Sequence, residues 1–244
     1  MPGDPVSRFF SSMVVAIDII GSASLRGRPD LTADSKITSA MGGSALEIVG
    51  VTGCEPWVLR CISDTTRLRS WKREKVESQT LNVVELARRA IMLEQDLKDN
   101  VEEMDRRSSS SKYSTVSLLT HIYAAATKAY LHVVVSGANP EVEDISSAVH
   151  TAVEGLQKLR QASSVRRLGW PICVTASLAQ SRHETFFGLL EAGARGDQDE
   201  CNSVLRAFEV VRETKRLRRL STGNERMIDW IDGMESLGRE WILL

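Results

Sequence analysis

Only four of the 244 residues are cysteine, Cys54, Cys61, Cys173 and Cys201, and no two of them are separated by two residues. The chain also opens without a leader of basic, apolar and small residues, so a reducing intracellular compartment fits best. A charge excess is missing too: 31 basic residues stand against 32 acidic ones, for a net charge of -1. No overall field therefore draws the molecule to nucleic acid or to an anionic membrane. Period-two alternation never lasts long enough to build a sheet, and no repeat of 20 to 50 residues marks a solenoid. Glycine-rich phosphate loops and nucleophile elbows are absent as well.

Helical periodicity is what the chain has in quantity. Asp4-Pro5 reads as a cap and a first helical residue, and Phe9, Phe10, Met13, Val14, Ile17 and Ile20 follow as one apolar face. Glycines scattered from Gly21 to Gly53 predict loops and brief helices. Cys54-Glu55-Pro56 restarts the pattern, with Val58, Cys61, Ile62, Thr65, Leu68 and Trp71 on one side. From about Leu81, apolar Leu86, Ala90, Leu93, Leu97, Val101 and Met104 oppose a charged face. RRSSSSK at 106–112 reads as a flexible linker. The apolar run 118–135 nearly reaches bilayer length, yet His121, Lys128 and His132 interrupt it, so it is read as a core helix rather than a membrane span. Gly137 should close that helix. Ile145, Val149, Val153, Leu156 and Leu159 mark the next.

In LGWPICVTASLA at 168–179, proline fits a first helical position, with Trp170 before it extended. The residues after it are apolar on nearly every side, which places this helix in the middle of the domain. Asp197 or Asp199 is expected to cap a helix through Val204, Leu205, Phe208 and Val211, and Thr222 to Glu225 matches a capping box ahead of Trp230. The fold expected over 1–244 is all-α: one helical domain of antiparallel helix pairs around a central buried helix.

Candidate chemistry fails on spacing. His183-Glu184 begins like a zinc protease helix, but position 187 is Phe where the second histidine is needed. Asp197 to Glu200 lacks the adjacent aspartates of the helical isoprenoid enzymes and suits a helix start. His121, His132 and His150 have no partner at a diagnostic spacing. No catalytic residue, metal or cofactor is expected. Arg212, Lys215, Arg216 and Arg219, extended by Arg218, form a basic stripe best read as a solvated helix end. Arg218-Arg219-Leu220-Ser221 matches a kinase site, where phosphate on Ser221 would add an anion beside the last helix.

The order of GCEPWVLRCISDTTRLRSWKRE, AYLHVVVSGANPEV, LGWPICVTASLAQSRHETFF and DWIDGMESLGREWILL resembles the fungal-specific transcription factor domain, the C-terminal regulatory region of binuclear zinc cluster regulators. Trp170-Pro171 is its most specific part. Family members often read WPLFIAG followed by an acid; here Cys173, Thr175, Ala176 and Leu178 stand in that stretch. The six-cysteine zinc module has no counterpart in these 244 residues, so no direct nucleic acid contact is expected from this chain. The resemblance implies a regulatory domain of a nuclear protein that shuttles with the cytoplasm, forms a homodimer, docks co-regulator proteins and responds to a small apolar ligand such as a sterol. Trp170, Cys173, Phe186 and Phe187 are the residues expected to line that ligand's pocket, and apolar surface on the 86–104 helix is expected to serve the dimer. A ligand-free interaction scaffold is the competing reading, and a helical isoprenoid enzyme a distant third.

Overall fold

The computed structural model describes residues 5–25, 45–107, 114–159, 165–195, 202–221, 228–238 and 243–244, with side chains from residue 6 in the first segment and residue 48 in the second. Among the described residues the chain forms ten α-helices and no strand: α1 Pro5–Ser24, α2 Ala45–Thr52, α3 Pro56–Glu77, α4 Val83–Arg107, α5 Thr115–Ser136 and α6 Glu143–Lys158 come first. A 3-10 turn at Arg166–Leu168 then leads into α7 Gly169–Ser177, α8 Ser181–Arg195, α9 Ser203–Leu220 and α10 Trp230–Ser236. The all-α expectation is met.

Helix starts are set by local chemistry. Ser114 accepts from the Ser117 N–H at 3.1 Å and opens α5, and Asn82 accepts from Val84 and Glu85 at the head of α4. Gly137, at φ 84°, closes α5 as expected. Three boundaries differ from the sequence reading. Asn202, not Asp197 or Asp199, caps α9 by accepting from the Val204 N–H at 3.0 Å. The capping box of the last helix is Asp229 with Asp232; Asp197, Asp199 and Thr222 to Glu225 lie outside the described residues. Arg106 and Arg107, expected in the linker, are the last two residues of α4, and 108–112 lie outside the described residues.

Cross-helix contacts fix the packing directions. Arg60 meets Asp96 and the Arg89 guanidinium lies 4.4 Å from the Trp71 ring centre, so α3 and α4 run antiparallel. Asp105 meets His121 and Glu94 meets His132, so α4 and α5 do the same. In α6, Gly155 lets Ile122 of α5 approach so closely that an added Cβ would stand 2.7 Å from its Cγ1.

Every residue of α7, Gly169 to Ser177, is buried, so the predicted central helix is central. Two details depart from the expectation. Pro171 is the third helical residue rather than the first, and Trp170 is helical rather than extended. The amides of a helix's first turn have no partner within the helix, so proline is tolerated anywhere in that turn. Trp170 meets the same need from outside, donating its N–H to the Leu243 carbonyl at 2.8 Å.

Around α7 sits an aromatic frame. The Trp170 ring stacks on Tyr123 at 6.2 Å and meets Tyr130 edge-on at 6.1 Å, and Tyr130 meets Trp230 edge-on at 5.4 Å. Both tyrosine hydroxyls are used, Tyr123 donating to the Arg167 carbonyl at 2.7 Å and Tyr130 to Thr66 Oγ1 at 3.3 Å.

The orientation of α1 is a correction. Ser12, Val15, Ala16, Ile19, Ile20 and Ala23 face inward, whereas Phe9, Phe10 and Val14 are 42%, 57% and 50% exposed. Apolar residues occupy two faces of this helix, so periodicity alone does not choose between them. The inner face holds Ala16 and Ala23, which allow α2 and α3 to approach closely.

Three half-buried cations bind the carboxyl ends of interior helices. Arg69 of α3 donates to the Ser22 carbonyl at 2.7 Å and to those of Ala23 and Leu25, at the end of α1. Lys72 of α3 donates to Val134 at 2.6 Å and Val135 at 3.1 Å, at the end of α5. Arg218 of α9 donates to the carbonyl of Ser177, at the end of α7, and to that of Ile228 at 2.8 Å. Lys72→Met therefore strands two carbonyls in the interior and should cost about 2 kcal/mol, the scale of a charge-assisted hydrogen bond. Lys72→Arg should recover part of that loss, as read from urea midpoints by circular dichroism. Gly155→Ala should cost about 1–3 kcal/mol by overpacking the α5–α6 contact, in the same assay.

Candidate functional site

The residues singled out from sequence do not gather into one site. Trp170 and Cys173 are fully buried on α7, where burial pushes the Cys173 thiol well above its ordinary value. Buried Phe187 and half-buried Phe186 lie on α8, which packs on α9, their rings edge-on at 5.4 Å. None of the four lines the groove described next. Ser221 is exposed at the C-cap of α9, where the helix end carries partial negative charge. The apolar 86–104 stripe, expected to serve a dimer, is interior: Leu86, Ala90, Leu97 and Met104 are buried and Leu93 and Val101 pack against the core.

Reactive chemistry is not assembled. Cys54 and Cys61 are buried free thiols, each pushed up to about 12 by desolvation, and no group of three or more potential metal ligands occurs among the described residues. His183 is buried with neither ring nitrogen hydrogen-bonded, its ring 5.8 Å from that of His150. Burial, then the Arg182 and His150 charges, hold it below the usual histidine range and so neutral. The basic stripe is engaged in pairs: Arg212 meets Glu191, Lys215 lies 3.2 Å from Glu184, Arg216 grips Glu213 through two bonds, and Arg218 points inward.

Among the described residues a groove of about 330 Å³ lies between α4, α5 and α6, larger than a second hollow of about 200 Å³ beside Leu189, Leu190, Gly193 and Ala194 of α8. The groove's floor is Leu97 and Val101 of α4 with Ala124 and Ala125 of α5 and Ala148 of α6. Alanines build it. Where α4 leaves α6, side chains this short cannot fill the space above α5. The rim is polar. At one end Lys128 Nζ lies 3.0 Å and His132 Nε2 3.4 Å from Glu94 Oε1, and at the other His121 bridges the Ser117 carbonyl at 2.8 Å and Asp105 at 3.1 Å. Ser147 and Thr151 of α6 and Lys98 and Glu102 of α4 complete the walls. Partial burial raises the Glu94 carboxyl, but Lys128 and His132 outweigh it and hold the group below the usual carboxylate range.

Sequence reasoning missed this site, although its signal was present. His121, Lys128 and His132, the residues that spoil the 118–135 run as a membrane span, recur at helical spacing and form one polar wall. Their carboxylate partners, Asp105 and Glu94, lie 16 to 38 residues away on another helix, so linear spacing could not pair them.

The chain matches the family described as fungal specific transcription factor domain over residues 3–244, and it belongs to that family. It is 27% identical over 231 residues to the trichothecene biosynthesis transcription regulator TRI10 of Fusarium sporotrichioides, covering 95% of this chain and 53% of the relative. To TRI10 of Trichoderma arundinaceum it is 33% identical over 146 residues, 59% of this chain and 33% of that protein. To the ustiloxin B cluster transcription factor ustR of Aspergillus flavus it is 29% identical over 147 residues, 56% and 25% respectively. The chain thus spans about half the length of the Fusarium relative and a smaller share of the others. No solved structure matches it. Family and relatives are transcription regulators, not enzymes.

Because the folded Glu94 carboxyl is held low, it contributes stability that is present above its unfolded value near 4.5 and lost as pH falls through the folded one. Glu94→Gln should therefore lower the urea midpoint at pH 7, and the gap to the parent protein should close as pH falls below the ordinary carboxylate range. A gap independent of pH would show that the ion pairs do not hold the rim.

Proposed function

We propose that this chain is the effector-responsive regulatory domain of a fungal transcription regulator controlling a biosynthetic gene cluster, and that the α4–α5–α6 groove receives the effector. Membership of the regulator family supports the first part, and the relatives named for trichothecene biosynthesis and the ustiloxin B cluster support the kind of target. The groove carries the second. Its 330 Å³ falls at the small end of ligand sites, roughly 300–1,000 Å³. An apolar floor with hydrogen-bonding groups at both ends suits a small, largely hydrocarbon molecule bearing oxygen functions at its extremities. Such a molecule touches three helices at once, so it favours the state in which they are spaced to hold it. The domain acts in the nucleus, handing that state to co-regulators.

Thermal unfolding with small oxygenated terpenoids, polyketide lactones and ergosterol tests the reading. One class should raise Tm saturably, by about 5 °C or more at a hundredfold excess over Kd. Ala125→Phe, which fills the floor, should abolish the rise while keeping the far-ultraviolet spectrum. Lys98→Ala on the exposed rim should weaken it without altering the unliganded Tm. A shift that survives Ala125→Phe, or none from any ligand, sinks the groove assignment.

A further inference from the structure

At one end of the groove a single carboxylate oxygen serves two donors. Lys128 and His132, one turn apart on α5, both face Glu94 Oε1 of α4, with Lys128 Nζ at 3.0 Å and His132 Nε2 at 3.4 Å. Lys128 takes the contact. The approach of His132 is too poorly aimed to be a hydrogen bond, so its Nε2 is buried without one, while Nδ1 on the other side of the ring lies 3.8 Å from Asp144 of α6. A buried ring nitrogen left in this condition is costly.

Glu94 also has a second place to go. Lys98 stands four residues further along α4, with acid before base, the order in which a helical pair is favourable. Lys98 now meets Glu102 instead, loosely at 3.9 Å and in the reverse order. The Glu94 side chain is already 36% exposed, so turning from α5 to Lys98 disturbs no packed core.

We infer that the groove's effector carries a carboxylate, which takes the place of Glu94 between Lys128 and His132 and turns Glu94 out toward Lys98. This rests on the groove reading above and gives its ligand a chemical class. One oxygen of the incoming acid meets Lys128, and the other accepts from His132 in the tautomer that carries its proton on Nε2, so the ring gains the partner it lacks. The hydrocarbon body then lies over Leu97, Val101, Ala124 and Ala125. One carboxylate leaves the Lys128–His132 pair as another arrives, whereas a neutral head would strip the lysine of its anion and return nothing of like charge. The exchange unties α4 from α5 at this end, while Asp105 still holds His121 at the other, so α4 pivots rather than detaches.

Calorimetric titration of the whole chain with octanoic acid, octanol and methyl octanoate at neutral pH tests this, since the three share a hydrocarbon body and only the acid is ionised. The acid should bind about tenfold or more tightly than the other two. Lys128→Met should erase that preference. Glu94→Gln, which removes the competing anion, should tighten the acid by about threefold or more and leave the alcohol and the ester unchanged, a gain that mere loss of stability does not produce. Equal binding of all three, abolished in each case by Ala125→Phe, would keep the groove as a ligand site and overturn the acid. A preference that survives Lys128→Met, or an acid that binds no better to Glu94→Gln, overturns the exchange. Binding of none of the three takes down the groove and this inference together.

Discussion

Helices that end inside a protein leave carbonyls with no partner and a negative pole in a medium that screens it poorly. This fold places three such ends against its interior, those of α1, α5 and α7, and brings a cation from a neighbouring helix to each. Two of the cations, Arg69 and Lys72, are successive residues on one side of α3, so a single helix orders the exits of two others. Arg69 also lies 5.5 Å from the centre of the Tyr130 ring, which joins this capping to the aromatic frame. Trp230 reaches the same place from the far end of the chain, its ring N–H donating to the Ala23 carbonyl at 3.4 Å. First helix, central helix and last helix are thus tied through a few polar contacts sunk in an apolar core.

Much of this was legible in the sequence because it rests on periodicity and on residues with one dominant use. The Leu86 to Met104 stripe, the Gly137 stop and the buried helix after Trp170 all follow from patterns within a single element. Pro171 identified a helix start and erred by only two positions, since proline suits the whole first turn. The two-faced α1 shows where this kind of reading stops. Hydrophobicity at helical spacing says that a face is apolar, while which of two apolar faces turns inward depends on the shape of the neighbours. Ala16 and Ala23 are weak signals for burial by hydrophobicity and strong ones for close approach.

Caps and sites were read less well, for a different reason. Asn202 and Asp229 are ordinary capping residues, but so are the other Asp, Asn, Ser and Thr residues near them, and only the observed path of the chain selects one. Of the candidate pocket residues, Trp170, Phe186 and Phe187 are large and aromatic and Cys173 is small and apolar. Those are the properties that make a side chain good core filling, and Trp170 and Cys173 are solid core. The groove is marked by the opposite property, small residues where three helices meet, with charged groups at an apolar helix's edge.

Helix α5 joins these two regimes. Tyr123 and Tyr130, two turns apart, lock one side of it to Trp170 and Trp230, while Ala124, Ala125 and Lys128, on neighbouring faces of the same turns, line the groove. The four rings of the frame are fully buried, and close-packed interiors resist rearrangement, so the frame is the stiffer side of α5. The softer walls are α4 and α6. α4 is held to α5 across the groove largely by solvent-accessible pairs such as Glu94 with Lys128, which are individually weak. On the proposed reading, an effector in the groove therefore acts outward through the setting of α4, with the aromatic frame as the fixed reference.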